Sequence, residues 1–438
     1  MFEYRLAIKS IKKSIELKSK DTLNLNFLAS LYITISEYNL AILTLEESLE
    51  LDAKNKNTLM SMVQAHIDMG NLDEAEKYLL LIIDYEKKNY KVFYYLIKIK
   101  KKYLTLDLMN TIKEDLKYIT SQEEIIYANL ILAESAALKN DFINEIKLLN
   151  KSHTLFLKKK EIAAAEEWNY YSNLLPQFVK KCEGVNDLKL NNQISPIFIL
   201  GMPRSGTTLV ENIIASGKEK ILIGGETNAF DGIFYQKGII KDNSSLTLIT
   251  DFGFKKIDFE LLTKDLINHY NQLKLINNKN NIFTDKSITN FFYIDIIKKI
   301  FPNAKFIYCS RNPLANVLGI LKVFLPHLLW SHSIEKIFKY FDLIMKKLDV
   351  ECCLNEKNFT IINLEELSSN PKKISKNLFK FLNIEWSEEC IKVSHKNIIK
   401  TASNIQLRKP IQKHDLNYLK NYYDIFKTIG KRYEWFKH

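Results

Sequence analysis

The chain has 438 residues, of which 46% are hydrophobic, and its formal net charge at pH 7 is +12. This length and apolar content exclude a disordered chain and allow two globular domains, each with its own core. The positive charge is compatible with nucleic acid, an anionic membrane surface or an anionic small ligand. Lys, Asn and Ile are all abundant throughout the chain, however, and a general compositional bias of this kind would raise the charge through its lysines without any such partner.

The N-terminal stretch, MFEYRLAIKSIKKSIELKSK, is charged every few residues and lacks the apolar region of a signal peptide. No apolar run approaches the roughly 20 residues of a membrane span. The five cysteines have no metal-ligand spacing, and the basic residues form no stripe interleaved with aromatic residues. We therefore expect a cytoplasmic protein with no transmembrane segment, no metal site and no nucleic-acid partner.

A period of 34 residues runs through the first part of the chain. It aligns Ala41 with Ala75 and Ser36 with Gly70. This period, with a small residue in the turn and alanine early in the second helix, resembles the tetratricopeptide repeat. The predicted helix pairs begin near Thr22 and Lys56.

The helical pattern continues beyond these repeats. Asn140-Asp-Phe142 resembles the turn at Asn71-Leu72 and predicts another helix pair from about Glu124 to Phe156. We expect a tetratricopeptide-like array over residues 1–180, a polar linker over 181–194 and a second domain over 195–438. The array could bind a peptide or protein client, or it could form a homodimer.

After the linker, short apolar runs alternate with helical stretches. This alternation predicts a parallel sheet with helices on both faces. The predicted strands are 196–200, 220–223, 281–284, 304–309 and 359–363, and the predicted helices are 207–215, 289–300, 316–325 and 371–382.

Polar residues follow these strands, at the edge where such a sheet binds ligands. The first strand leads into Gly201-Met-Pro-Arg-Ser-Gly-Thr-Thr208, which has P-loop spacing but carries Thr207 in place of the lysine. Glu226 follows the second strand, Asp285-Lys286 the third and Arg311 the fourth. Three cations and a nest of backbone N–H groups indicate an anion site, in which Glu226 is a possible base.

Four segments in order resemble sulfotransferase motifs. The run from Pro203 to Leu209, PRSGTTL, resembles the 5′-phosphosulfate loop, and FIYCSRNP from Phe306 to Pro313 resembles the strand and R-x-P that hold the donor 3′-phosphate. DKSITN at 285–290 and TASNIQLRKPI at 401–411 are similar to segments of bacterial sulfotransferases fused to tetratricopeptide repeats. Protein-tyrosine sulfotransferases share R-S-G-T-T-L and G-E-x-T, and their catalytic glutamate falls on Glu226.

The resemblance implies an α + α/β chain, in which a tetratricopeptide-like α-solenoid precedes a P-loop-like parallel β-sheet sulfotransferase domain. It also implies the donor 3′-phosphoadenosine 5′-phosphosulfate (PAPS), its product adenosine 3′,5′-bisphosphate (PAP), no metal, and a hydroxyl acceptor such as a peptide tyrosine, a sugar or a small phenol or alcohol. The implied catalytic residues are Glu226 as base, with Lys286 and Arg204 stabilising the leaving group. The implied donor-binding residues are Pro203, Arg204, Ser205, Gly206, Thr207, Thr208 and Arg311, together with Arg408 or Lys409.

Two residues depart from the family pattern. Gly319 stands where the family has a serine that shares the 3′-phosphate, and Ile288 stands where D-K-x-P-x-N has proline. Two other functions stay open. One is a P-loop nucleotide kinase, against which Thr207 argues, and the other is a catalytically degenerate protein-interaction module that binds nucleotide.

Overall fold

The structure is a computed structural model that describes residues 4–17, 21–176, 193–219, 221–236, 258–276, 281–353, 357–392, 405, 408, 410–413 and 415–436. It divides into two compact units, Met1–Phe156 with Ser394–Lys409, and Leu157–Val393 with Pro410–His438. In the described ranges, no helix is long and apolar enough to cross a membrane.

The first unit consists of antiparallel helix pairs that begin where the 34-residue period predicts. The side chains of Asp21 and Asn55 each accept a hydrogen bond from a backbone N–H of the helix that follows, and these caps start the helices at Thr22 and Lys56. The helices are α1 (Tyr4–Leu17), α2 (Thr22–Thr34), α3 (Tyr38–Leu51), α4 (Lys56–Met69), α5 (Leu72–Tyr85), α6 (Tyr90–Ile99), α7 (Leu106–Asp115), α8 (Gln122–Leu138) and α9 (Phe142–Lys158).

The turns within these pairs need left-handed backbone. Ser36 has φ 65°, Gly70 has φ 87° and Asn140 has φ 59°, a region that favours Gly and Asn. Ala41 and Ala75 are fully buried where neighbouring helices pack. The small side chains at both positions therefore permit the close helix contact that the repeat requires.

The second unit contains α10 (Glu161–Asn169) and a π-helical turn at Tyr170–Leu174, both of which precede the predicted linker at 181–194. The carboxylate of Glu167 accepts hydrogen bonds from the backbone of Leu329 and Trp330, at 2.9 and 3.1 Å. Tyr170 donates to Asp231 at 2.7 Å. These bonds hold α10 to the second unit.

A four-stranded parallel sheet forms the centre of this unit. Its strands are β1 (Ile197–Leu200), β2 (Thr284–Asp285), β3 (Lys305–Ser310) and β4 (Phe359–Asn363), and their order is β2-β1-β3-β4. Neighbours pair Ile197 with Thr284 and Ile197 with Lys305. The chain passes from β1 to β2 on one side of β1 and then crosses to β3 on the other side. The strand order therefore reverses between β1 and β3, which is the point where such sheets bind ligands.

Helices cover the sheet. A buried cluster joins β1 and β3 to the first helix after β1 through Ile199, Ile307 and Ile213. The helices are α11 (Thr207–Ala215), α12 (Ala229–Gln236), α13 (Phe259–Gln272), α14 (Ile294–Ile300), α15 (Pro313–Leu321), α16 (Ile334–Cys353), α17 (Leu364–Ser369), α18 (Pro371–Leu382) and α19 (Lys420–Gly430).

The strand predicted at 220–223 is reduced to a single parallel bridge between Leu222 and Phe283. The backbone N–H of Gly224 donates to the side-chain hydroxyl of Thr284 on β2, at 3.2 Å, instead of to a backbone carbonyl oxygen of that strand. A Cβ on Gly224 would lie 2.0 Å from the Thr284 carbonyl oxygen. The two glycines at 224 and 225 thus end the strand early and bring the following turn against β2.

Candidate functional site

The loop between β1 and α11, residues 201–206, turns sharply from the strand into the helix, and we call it the phosphate loop after its predicted role. Arg204 and Gly206 have left-handed backbone, with φ 71° and 95°, and α11 begins at the next residue, Thr207. Turns of this kind direct successive N–H groups inward, and a helix N-terminus adds positive potential. Ser205 is 2% exposed, and its Oγ has no hydrogen-bond partner among the described residues.

Two side chains hold this loop from the neighbouring elements. Arg311, which follows β3, donates from Nη1 to the carbonyl oxygen of Arg204 at 2.8 Å. Asn316 of α15 donates to the carbonyl oxygen of Pro203 at 2.7 Å. The sequence analysis did not identify Asn316, which is 1% exposed. The loop is therefore fixed to the side of the sheet where the strand order reverses.

We expect Gly201→Ala to lower the free energy of unfolding by about 1–3 kcal/mol. Gly201 has φ 151°, and a Cβ there would lie 2.5 Å from Ser205 Oγ and 2.9 Å from the Cys309 carbonyl oxygen. Gly225→Ala is the matched control, because Gly225 has φ 67° but no atom within 4 Å of the added carbon. Urea denaturation of both variants measures the difference, and an equal loss in Gly225→Ala would show that crowding at Gly201 is unimportant.

Glu226 lies in a turn that is tied to β2. The N–H of Lys286 donates to the Gly225 carbonyl oxygen at 2.8 Å, and Thr227 donates to the Asp285 carboxylate at 2.5 Å. These bonds place Glu226 Oε1 3.1 Å from the ammonium nitrogen of Lys286. The structure thus brings together the predicted base and one predicted cation.

Asp285 supports this arrangement without touching the ammonium group. Its carboxylate accepts five hydrogen bonds, one each from Thr227, Tyr270 and Asn290 and two from Ser287. Asp285 is fully buried. A buried carboxylate with this many donors has a fixed orientation, so Asp285 holds the chain on both sides of the Glu226–Lys286 pair.

The Lys286 side chain is only 1% exposed, whereas the Glu226 side chain is 47% exposed. Burial lowers the pKa of Lys286, but the carboxylates of Glu226 and Glu211 raise it by more, so that its pKa lies above the ordinary value. Lys286 therefore carries its positive charge at neutral pH. Glu226 has one oxygen on the ammonium group and remains reachable from solvent.

Glu211 was missed in the sequence analysis. It lies on α11 and is 3% exposed, and its Oε2 is 3.9 Å from Lys286 Nζ. The available signal was the single charged residue in the helix T-T-L-V-E-N-I-I-A. The helical pattern of this run does not by itself predict that Glu211 lies on the buried face.

Arg311 is largely buried, with its side chain 13% exposed and its Nε 4.0 Å from Glu365 Oε1. Burial lowers the pKa of Arg311, which the Tyr418 hydroxyl and Glu365 raise; a guanidinium stays charged nonetheless. Its Nε has no hydrogen-bond partner among the described residues. A buried cation with an unused donor suits an anionic ligand.

The remaining predicted residues lie as follows. Thr207 and Thr208 form the first turn of α11. Arg408 belongs to the first unit, where its Nη2 donates to the Asp68 carbonyl oxygen at 3.0 Å, so its assignment to a donor phosphate stays a prediction. Lys409 lies outside the described residues. In the same described part of the chain, no group of three or more His, Cys, Asp or Glu is arranged to hold a metal ion.

Comparisons with known proteins agree with this reading of the two units. The model of the sulfotransferase family matches residues 196–388, and the model of the tetratricopeptide repeat matches residues 24–55 and 57–89. These matches confirm the predicted family domain and the predicted repeats.

The similar proteins include two relatives found by sequence and one solved structure. Protein-tyrosine sulfotransferase 1 of Danio rerio is 26% identical over 227 residues, which are 50% of this chain and 61% of that protein. An uncharacterized protein of Aquifex aeolicus is 24% identical over 322 residues, 66% of this chain but 40% of that protein. The sulfotransferase domain of the Synechococcus PCC 7002 olefin synthase is 17% identical with a TM-score of 0.35, covering 57% of this chain and 99% of that domain.

The chain spans less than two thirds of the length of the first two relatives. The family match nevertheless contains the loop at 201–206, the Glu226–Lys286 pair and Arg311. The chain therefore carries a domain of the sulfotransferase family behind N-terminal tetratricopeptide repeats.

Proposed function

We propose that the protein is a sulfotransferase that moves the sulfuryl group of PAPS to a hydroxyl acceptor. The observation that carries this proposal is the Glu226–Lys286 pair, at 3.1 Å, in a family domain whose phosphate loop lacks the P-loop lysine. A half-exposed carboxylate beside a buried ammonium supplies a base and a cation at one point. A P-loop nucleotide kinase contacts the terminal phosphates through the loop lysine, and this chain has Thr207 at that position.

The residues present fit the donor. Ser205 Oγ and Arg311 Nε are buried without hydrogen-bond partners among the described residues, which leaves two buried donors for an anionic ligand. The loop N–H groups, Ser205, Thr207 and Thr208 would hold the 5′-phosphate, and Arg311 would hold the 3′-phosphate. Both assignments rest on the motif resemblance together with this burial.

Gly319 bears on the 3′-phosphate. A Cβ there would lie 3.2 Å from Arg311 Nη1 and 3.2 Å from Arg204 Cβ, so the two arginines occupy the space that a serine side chain would need. Lys322, which could have replaced the serine, donates instead to the Tyr422 hydroxyl at 3.0 Å. The proposed site therefore relies on Arg311 more heavily than the family pattern does.

In the proposed reaction the acceptor oxygen attacks sulfur. Its O–S bond forms as the bond from sulfur to the bridging oxygen of the donor breaks, and Glu226 takes the hydroxyl proton. The negative charge that develops on the departing phosphate oxygen is stabilised by Lys286 and Arg204. The products are the sulfate ester and PAP.

The acceptor class that we propose is a peptide tyrosine. The support is the similarity to proteins named protein-tyrosine sulfotransferase and the presence of tetratricopeptide repeats, because such arrays bind extended peptides. Sugars and small phenols belong in the same acceptor panel. The repeats could equally recruit a protein client or a second copy.

Calorimetric titration with PAP, ATP–magnesium and 5′-AMP tests the donor. We expect PAP to bind most tightly, because only PAP offers the 3′-phosphate to Arg311. Radiolabelled PAPS with peptide, sugar and phenol acceptors then tests transfer. Preference for ATP–magnesium would contradict the proposal in favour of a kinase, and PAP binding without turnover on any acceptor would favour a degenerate interaction module.

A further inference from the structure

Glu211 is a buried carboxylate one turn beyond the phosphate loop, and its side chain is 4% exposed. Its Oε1 accepts hydrogen bonds from the Thr284 hydroxyl at 2.7 Å and from the Gly225 N–H at 3.1 Å. Its Oε2 lies 3.9 Å from Lys286 Nζ. Burying a carboxylate is costly unless it is paired and hydrogen-bonded, and here each oxygen has a partner.

These partners belong to three different parts of the site. Glu211 lies on α11, the helix that follows the phosphate loop, and Gly225 is the residue before Glu226. Thr284 lies on β2, and Lys286 follows that strand. A single side chain thus ties the loop helix to both members of the Glu226–Lys286 pair. Lys286 stands between two carboxylates, at 3.1 and 3.9 Å, of which only Glu226 reaches solvent.

We propose that Glu211 is the positioning residue of this site, holding the Lys286 ammonium group and the Glu226 turn in place when Glu226 takes up a proton. This inference rests on the proposed function. Protonation of Glu226 by the acceptor hydroxyl removes the nearer negative charge from Lys286. This role requires Glu211 to stay ionised in that step, where the Lys286 charge and two hydrogen bonds oppose the rise in its pKa that burial causes, so that it keeps the ammonium group directed at the leaving phosphate oxygen.

The charges around the pair support this role. The groups facing Lys286 are Glu226, Glu211 and Asp285, and the thiol of Cys309 on β3 faces Glu211. Burial raises the pKa of Cys309, and the charge of Glu211 raises it further. The thiol therefore stays neutral and adds no second negative charge beside Glu211. Burial also raises the pKa of Glu211, which the Lys286 charge and two hydrogen bonds lower by less.

Glu211→Gln separates charge from packing. The amide oxygen can still accept from Gly225 and Thr284, so only the negative charge is lost. We expect kcat to fall about 10-fold to 100-fold, the range expected when the support of a reacting group is removed, with PAP affinity changed by no more than about twofold. Thr284→Val is the comparison variant, because it leaves the charge of Glu211 while it removes the hydroxyl that donates to Glu211 and accepts from the Gly224 N–H.

A direct measurement follows the Lys286 ammonium group by carbon NMR with ε-labelled lysine, assigned by the signal missing in Lys286→Arg. In Glu211→Gln we expect this signal to titrate about one to three pH units lower than in the wild type, whereas Thr284→Val leaves it in place. An unchanged Lys286 titration in Glu211→Gln, or a shift as large in Thr284→Val, would overturn the inference.

Two further results keep the test decisive. If Glu211→Gln does not fold, Glu211→Asp keeps the charge but withdraws it by one methylene, and a wild-type kcat in that variant would overturn the inference. The NMR measurement needs no substrate. A wild-type protein that does not bind PAP, yet whose Lys286 titration shifts in Glu211→Gln, would refute the proposed function and leave the electrostatic support of Lys286 by Glu211 in place.

Discussion

Glu226→Gln is expected to lower kcat by about 10²–10⁴-fold, the usual contribution of a positioned general base. The glutamine keeps an oxygen that can accept from Lys286, which now lies 3.1 Å from Glu226 Oε1, so the local geometry changes little. Under the proposed mechanism, the variant loses the ability to take the acceptor's proton. Steady-state turnover of labelled PAPS measures the effect.

The binding of PAP separates this loss from damage to the donor site. We expect the calorimetric affinity for PAP to stay within about twofold of the wild type, because Glu226 contacts Lys286 and not the phosphate loop. Glu219→Gln is the control, since Glu219 is an exposed glutamate that accepts from the Glu385 backbone at 3.3 Å. If Glu226→Gln retained kcat within about threefold, another group would have to be the base.

Arg311→Ala is expected to weaken PAP binding by about 10-fold to 150-fold, which corresponds to the 1.5–3 kcal/mol of a hydrogen bond to a charged group. The guanidinium is buried and has an unused Nε donor, so a 3′-phosphate would gain a desolvated partner. Affinity for 5′-AMP, which lacks that phosphate, should change far less. Calorimetry with both ligands gives the ratio.

The ratio matters because Arg311 also donates to the Arg204 carbonyl oxygen. If the variant merely loosened the phosphate loop, PAP and 5′-AMP would weaken together, and the assignment of Arg311 to the 3′-phosphate would be wrong. Arg311→Lys adds a second comparison, because it keeps the charge and loses the planar fork of donors. Arg432→Ala, at an exposed position, controls for the change in net charge.

Much of the fold could be predicted because its signals are periodic. The 34-residue repeat located the helices at Thr22 and Lys56, and the helices Thr207–Ala215 and Pro371–Leu382 begin and end where they were predicted. The strand predicted at 220–223 forms only one bridge, because the backbone of the next residue, Gly224, donates to a side chain. An apolar run in the sequence does not reveal such a bond. Local pattern predicts an element, but its pairing depends on the partner's side chains.

The candidate site shows the same limit. The strand-end rule predicted that Lys286, Glu226, Arg204 and Arg311 share an edge, because parallel strands impose it. The partners of Arg408 and the burial of Glu211 could not be predicted, since both depend on long-range packing. Only the fold reveals that a carboxylate in the helix after the loop turns toward β2.

The hydrogen bonds to Asp285 have a consequence for how the chain folds. Their donors are 2, 5, 15 and 58 residues away along the sequence, so the carboxylate is satisfied only after distant segments meet. Bringing such segments together costs chain entropy before the bonds offset it. The turn that carries Glu226 is therefore held in place only after these segments have met. We infer that any chemistry at Glu226 is confined to molecules in which this unit has completed folding.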